Sequence, residues 1–234
     1  MSFVRISSRM KHDALLASPF FQHMSAEELD EIIGFATERR ISKGTTIFTK
    51  GDPGTSMMAV MAGRVRVSSI SADGREVTLN VIGAGEIFGE IALLDGKPRS
   101  ADAVTLDDTV LMVVERKQFL PFLLKNETLM ERMLIVLCDR LRRTSMALEE
   151  LALFDLPVRL ARLITKLARD YGRPVAGGMR IDMKLSQRDL ATLVASSRET
   201  VNKQLRGWRE QGVLDLVSGY IVVLNSEALE RLVG

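Results

Sequence analysis

One cysteine, Cys138, stands in a chain of 234 residues. A single thiol can build no intrachain disulfide, zinc finger or cysteine-held iron–sulfur cluster. At its position Cys138 is expected to fill space within a helix, as buried cysteines do. Histidine is nearly as scarce, with His12 and His23 near the start and none afterwards. Metal-dependent chemistry needs clustered His and carboxylate ligands, and a serine-histidine triad needs its base, so neither is expected here and the chain is not expected to be an enzyme. Haem would have to rely on the same two histidines, for which solvated or structural roles are the simpler expectation. Long apolar runs are also missing: stretches such as Met133–Cys138 are far too short to span a bilayer. The first residues carry Arg5, Arg9, Lys11, His12 and Asp13 without an apolar run. No signal peptide is therefore expected, and the cytoplasm is the default compartment.

A strong overall charge is lacking too, since the net value is only +2. Its distribution is uneven. From Arg159 to Arg209 nine Arg and three Lys face Asp170, Asp182, Asp189 and Glu199, a local excess of +8. Basicity confined to the last third of a chain points to an anionic partner for that part. The length accommodates one large domain or two ordinary ones, and an apolar fraction of 46% provides for a sizeable core.

What is present begins with an uninterrupted heptad. Met130, Leu134, Leu137, Leu141, Thr144, Leu148 and Leu151 alternate spacings of four and three within Glu127–Phe154, with no Pro or Gly between. The pattern predicts a long helix with an a/d seam, and a parallel two-stranded coiled coil would make the protein a homodimer. One amphipathic helix packed on its own domain would read similarly. Thr144 occupies a seam position where an apolar group packs better, with Ser145 beside it. A hydroxyl pair there could meet a small polar ligand from two subunits, although threonine can also bond its own helix backbone.

Before that helix, Ser25 and Glu28 form a capping-box pattern ahead of the stripe Leu29, Ile32, Ile33 and Phe35. Residues 1 to about 15 are expected to be loosely ordered. From Ile41 to Val114 the period becomes two. Strands are expected at Thr46–Thr49, Met57–Met61, Val65–Ser69, Val77–Val81 and Val110–Val114. Turns at Gly51–Gly54, Ala62-Gly63, Asp73-Gly74 and Gly83–Gly85 separate them, which describes an antiparallel sandwich or barrel. Asp155 and Pro157 open another helix running to about Asp170, so the Phe154-Asp155 junction is the expected hinge. Gly172–Gly178 is expected to be a loop. Leu214–Leu216 and Tyr220–Val223, joined by Ser218-Gly219, read as a two-stranded wing.

Two stretches carry chemistry. In Phe88–Ala101, Gly89 allows close backbone approach, and a helical turn at Glu90–Leu93 would aim N–H groups at an anion. Arg99 adds a planar fork suited to phosphate, Ser100 another donor, and Glu90 an acceptor for a hydroxyl pair. A partly buried Glu90–Arg99 ion pair is the alternative. In Ser186–Lys203, a capped helix, a turn at Ala195-Ser196 and a second helix from Ser197 to about Gln211 form a helix-turn-helix pattern. Leu190, Leu193, Val194, Val201 and Leu205 would face the core. Arg198, Glu199, Asn202 and Lys203 would stand on the outer side of the second helix at the end that enters the major groove. Arginine can take guanine O6 and N7 together, and glutamate can accept from cytosine N4. A solvated charged face is the plain alternative.

Over about residues 20 to 230 the chain resembles the CRP/FNR family of bacterial transcription regulators, and its motifs are most similar to the cAMP-receptor branch. The resemblance implies an α+β fold. Residues 1–125 would be an antiparallel β-roll (a double-stranded β-helix, the cyclic-nucleotide-binding domain) with an N-terminal helix. Residues 126–154 would be a dimerisation helix and hinge, and 155–234 a winged helix-turn-helix. It further implies that Glu90 holds a ribose 2′-hydroxyl and that Arg99, Ser100 and the backbone of Gly89, Glu90, Ile91 and Ala92 bind the cyclic phosphate. Leu79 and Asn80 would line the base pocket, the asparagine departing from that branch's serine. Thr144 and Ser145, in a similar run that begins at Arg140, would reach the base from both subunits. Arg140 joins the candidate ligand set on the same ground. Base contacts would be Arg198, Glu199, Asn202 and Lys203, on half-sites related to TGTGA, with Lys203 replacing the branch's arginine. Ser186, Gln187, Arg188, Ser197 and Thr200 would touch phosphates, which positions the protein without specifying sequence. RNA polymerase is an expected partner, and neither a metal nor a membrane is. The effector is cAMP or cGMP, since a threonine hydroxyl serves either base. A member of the family that answers another signal, or none, is the competing reading.

Overall fold

The computed structural model of the chain describes residues 15–16, 18, 20–22, 24–72, 74 and 76–233. The expectation of loose order before residue 15, both histidines and Asp73 of the Asp73-Gly74 turn lie outside the described residues. The chain divides into two compact units, Met1–Ser69 with Leu79–Arg143, and Ile70–Thr78 with Thr144–Gly234.

In the first unit, α1 (Ala26–Phe35) is started by Ser25, whose hydroxyl accepts from Glu28 N while Glu28 returns a bond to Ser25 N. This capping box satisfies two donors that a helix start would otherwise leave unpaired. Strands β1 (Thr37–Ile41), β8 (Thr109–Glu115), β3 (Ser56–Ala62) and β6 (Ile87–Phe88) form one four-stranded antiparallel sheet in that order. Strands β2 (Thr46–Phe48), β7 (Asp102–Thr105), β4 (Val65–Ile70) and β5 (Glu76–Ile82) form a second sheet. The first sheet is covered on both faces. Met57 and Ala59 of β3 and Met112 and Val114 of β8 join a core with α1, α3 (Arg116–Lys125) and the start of the long helix that follows it. Their neighbours Met58, Val60, Leu111 and Val113 join a separate core between the sheets. Side chains alternate faces along a strand, so a sheet buried twice needs apolar residues at consecutive positions. That is why Met57–Met61 and Val110–Val114 read as unbroken apolar runs.

Three strands of the first unit lie outside the expected set. β1 carries Thr-Glu-Arg-Arg and buries only Ile41, so an edge strand with four polar residues shows no periodic signal. β6 and β7 are only two and four residues long.

Asn126 accepts from Leu129 N at 2.8 Å and so opens α4 (Glu127–Leu153), the expected long helix of 27 residues. Leu129 and Met133 are buried in the first unit's core. Leu137 still packs against that core, but Leu134, Leu141 and Leu148 of the seam are 55%, 69% and 67% exposed. Cys138 is exposed as well, which corrects its expected role as a space-filler, because it lies one turn from Leu134 on the face of α4 turned away from the core.

In the second unit Asp155 caps α5 (Leu156–Tyr171) by accepting from Val158 N at 3.3 Å, with Pro157 in the first turn. Gly172–Gly178 is not a loop. It forms β9 (Gly172–Val175) and the start of β10 (Gly178–Ile181), in full antiparallel register. The wing strands β11 (Leu214–Val217) and β12 (Tyr220–Val223) pair with each other, and β12 pairs with β10, to make a four-stranded sheet, β11-β12-β10-β9, where two strands were expected. Helices α6 (Gln187–Leu193), α7 (Arg198–Glu210) and α8 (Ser226–Val233) complete the unit. The last was not anticipated; Asn225 opens it by accepting from Ala228 N at 3.0 Å, and Leu229 anchors it in the core. No helix among the described residues is long and apolar enough to cross a membrane.

Candidate functional site

The first candidate site is built around a glycine between a strand and a short helix. β6 ends at Phe88, and Gly89 adopts φ 78°, ψ 6°, the left-handed region, before α2 (Glu90–Asp95) begins. A side chain at Gly89 would be strained, and its Cβ would lie 2.6 Å from Arg99 Nη1. The expected turn at Glu90–Leu93 is thus a helix of six residues. The Gly51–Gly54 turn backs it: a Cβ at Gly54 would lie 2.1 Å from the Ala92 Cβ. Two backbone bonds lock the same contact. Arg99 N donates to Asp52 O at 2.8 Å, and Gly51 N donates to Arg99 O at 2.9 Å.

Glu90 is fully buried. Its Oε1 accepts from Arg140, which also donates to Ile87 O. The ion pair left open between Glu90 and Arg99 is therefore formed with Arg140 instead. Glu90 Oε2 is buried with no hydrogen-bond partner. Burial raises the Glu90 pKa above its ordinary value, and Arg140 offsets part of that shift.

Arg99 is 5% exposed. Its Nη1 donates to Gly89 O at 2.9 Å and its Nη2 to Ser56 Oγ at 3.1 Å. The guanidinium carbon stands 4.2 Å from the centre of the Phe48 ring. Arg99 Nε is buried without a partner. Burial pulls its pKa down, and Asp52, Glu115 and Glu90 oppose the shift by charge.

Gly89, Glu90, Arg99 and Arg140 are thus brought together. Ala92 is buried, Ile91 and Leu79 are 43% and 59% exposed, and Ser100 is exposed. Asn80 is half-buried, with its Oδ1 accepting from Val81 N at 2.9 Å. Asn80 and Arg140 also line one cavity of about 110 Å³ with Glu86, Ile87 and Arg143. That is well below the roughly 300 Å³ at which ligand pockets begin. Thr144 and Ser145 are exposed on α4. Ser56, Phe48 and Gly54 were not anticipated. Only Ser56 had a visible signal, as the hydroxyl residue directly before an apolar run.

The second candidate site is the surface of α6 and α7. Ser186 and Asp189 form a capping box at α6. Ser197 caps α7 by accepting from Thr200 N at 3.1 Å. Between them Ala195 takes a positive φ of 49°. Val201, Leu205 and Trp208 bury one face of α7. Arg198, Glu199 and Lys203 are exposed on its other side, in its first two turns. Asn202 is half-buried, and its Oδ1 is buried without a partner. Its amide thus faces inward at the edge of the core. Ser186, Arg188, Ser197 and Thr200 are exposed and Gln187 is half-buried. The Ser197 and Thr200 hydroxyls lie 2.7 Å apart.

Comparison with known proteins matches two segments of the chain. Residues 38–126 match the cyclic nucleotide-binding domain family, and residues 158–232 match the Crp-like helix-turn-helix domain family. A CRP-like cAMP-activated global transcriptional regulator of Mycobacterium tuberculosis is 33% identical over 189 residues, covering 81% of this chain and 84% of that one. The cyclic AMP receptor protein of Thermus thermophilus is 32% identical over 215 residues, covering 92% and 96%. Among solved structures, the c-di-GMP responsive global regulator CLP of Xanthomonas campestris superposes with a TM-score of 0.77 at 23% identity, covering 85% of this chain and 99% of that one. At that identity it demonstrates a shared fold.

Proposed function

Since the chain belongs to the CRP/FNR family of DNA-binding transcription regulators, which are not enzymes, we propose that it is a cytoplasmic homodimer that binds cAMP or cGMP and reads palindromic DNA. The observation that carries the nucleotide is the pair of leftover buried groups, Glu90 Oε2 and Arg99 Nε. A buried polar atom without a partner costs about 1–3 kcal/mol, and a ligand that supplies a hydroxyl to one and an anionic oxygen to the other removes both costs. A ribose joined to a cyclic phosphate has that chemistry. The N–H groups from Gly89 to Ala92 and the Ser100 hydroxyl add donors, while Leu79, Asn80, Thr144 and Ser145 take the base. The exposed seam of Leu134, Leu141 and Leu148 supports the dimer. Residues 1–125, 126–154 and 155–234 then divide into effector, dimerisation and DNA-binding parts.

On DNA, Arg198, Glu199 and Lys203 take base edges of TGTGA-like half-sites one helical turn apart, with Asn202 joining once its amide turns outward. Ser186, Gln187, Arg188, Ser197 and Thr200 hold phosphates. RNA polymerase is the further partner of such a regulator. Calorimetric titration with cAMP and with cGMP, then DNA binding with and without each, tests this reading. Saturable binding of one nucleotide that raises affinity for a TGTGA palindrome is the expected result. No heat from either would remove the effector.

One observation favours a second reading. Arg140 already satisfies Glu90 Oε1 within the protein. In a family member that needs no effector, this pair would be a permanent brace, and DNA affinity would be the same with and without nucleotide.

A further inference from the structure

Arg99 is the group on which the phosphate half of the nucleotide reading rests, and a guanidinium has five N–H donors in one plane. Gly89 O takes one from Nη1 and Ser56 Oγ one from Nη2. The Phe48 ring covers one face. A carbonyl and an aromatic face alone would leave the plane free to swing about the Nη1 contact. The hydroxyl of Ser56, 8% exposed at the head of β3, stops that swing. Asp52 and Glu115 act on Arg99 through their charge, and the side-chain acceptor that holds it is neutral.

We propose that Ser56 is a positioning residue for anion binding: its buried hydroxyl orients the Arg99 fork without neutralising it. The difference from a carboxylate is chemical. An Asp or Glu at this place would form a bidentate ion pair and consume the charge and the N–H edge that an anion needs. A serine fixes the same plane and leaves the positive charge, Nε–H and the second hydrogen of each terminal nitrogen for phosphate oxygens.

This proposal rests on the nucleotide reading above, and the test separates the two. The full-length chain and its Ser56→Ala, Ser56→Thr and Ser56→Asp variants are titrated with cAMP and with cGMP. For the nucleotide that binds, Ser56→Ala should weaken affinity about tenfold, the scale of one hydrogen bond to a charged group. Ser56→Thr should recover most of it. Ser56→Asp should bind more weakly than Ser56→Ala despite offering a better acceptor, because it cancels the Arg99 charge. The two phosphorothioate diastereomers of that nucleotide add a readout that general destabilisation would not move. Their affinity ratio should collapse toward one in Ser56→Ala, since only a fixed fork distinguishes the two exocyclic oxygens. Wild-type affinity in Ser56→Ala, or tighter binding in Ser56→Asp, overturns the role of Ser56. If the wild-type chain takes neither nucleotide, the effector reading fails, and the ligand-free protein decides on Ser56. The Arg99 Nε–H NMR signal then shifts in Ser56→Ala if the hydroxyl orients the guanidinium, and an unmoved signal overturns the proposal.

Discussion

Arg140 of α4 donates to the carboxylate of Glu90 at the head of α2, across fifty positions of sequence. The acid is fully buried, and the arginine side chain is 25% exposed. A helix that carries the exposed seam is thus bonded directly to the helix that opens the cradle. Changes on either side of this pair should be felt on the other.

Replacing Arg140 by Met leaves Glu90 buried and unpaired. Breaking one side of a fully buried pair costs about 3–5 kcal/mol. Partial exposure of Arg140 reduces the expected loss to about 2 kcal/mol in urea unfolding. An unchanged midpoint would mean that the pair contributes nothing to stability.

Glu90 also predicts a pH dependence. Burial raises its folded-state pKa above the ordinary 4.5, so the folded chain holds the proton more tightly than the unfolded chain. Its unfavourable contribution is absent below the unfolded value, grows as pH rises through the folded value, and is complete above it. Asp107 acts oppositely, because its hydrogen bond from Arg64 lowers its pKa and its stabilisation is lost as pH falls. The difference between wild type and Glu90→Gln isolates the glutamate. That gap should shift in favour of Gln as pH rises above the ordinary carboxylate value of 4.5. Parallel stability curves would show that Glu90 keeps an ordinary carboxylate.

Arg99→Leu should abolish nucleotide-dependent DNA binding while the protein remains a folded dimer. Circular dichroism and sedimentation check the fold, and titration checks the ligand. Retained nucleotide affinity would argue against the cradle.

Arg198→Ala should cost about 1–3 kcal/mol of DNA binding and relax preference at one base position. Selection from a randomised half-site measures this. Uniform weakening over all sequences would make Arg198 a phosphate contact.

Leu141→Glu places a charge in the exposed seam and should convert a dimer to monomers in sedimentation, with helix content retained. An unaltered mass would place the interface elsewhere.

Elements whose pattern repeats over many residues were readable from the chain itself. The heptad of α4, the box at Ser25 and Glu28, and the cap at Ser186 depend on local spacing, and each was visible in advance. β1 was not, because four polar residues on an edge leave no period. β9 was read as a loop because Gly172, Pro174 and Gly177 are turn residues by type. Tertiary pairing with β10 overrode that preference. In the cradle the residues were legible and their partners were not. Glu90 and Arg99 stand nine positions apart and invite pairing, whereas the fold gives Glu90 to Arg140 and Arg99 to Ser56. Such choices are made by elements distant in sequence, which no spacing rule records.

The contact between Gly54 and Ala92 has a mechanical consequence. With no room for even one methyl group at position 54, α2 sits directly against the Gly51–Gly54 turn. A methyl group at position 54 would therefore have to push α2 and this turn apart.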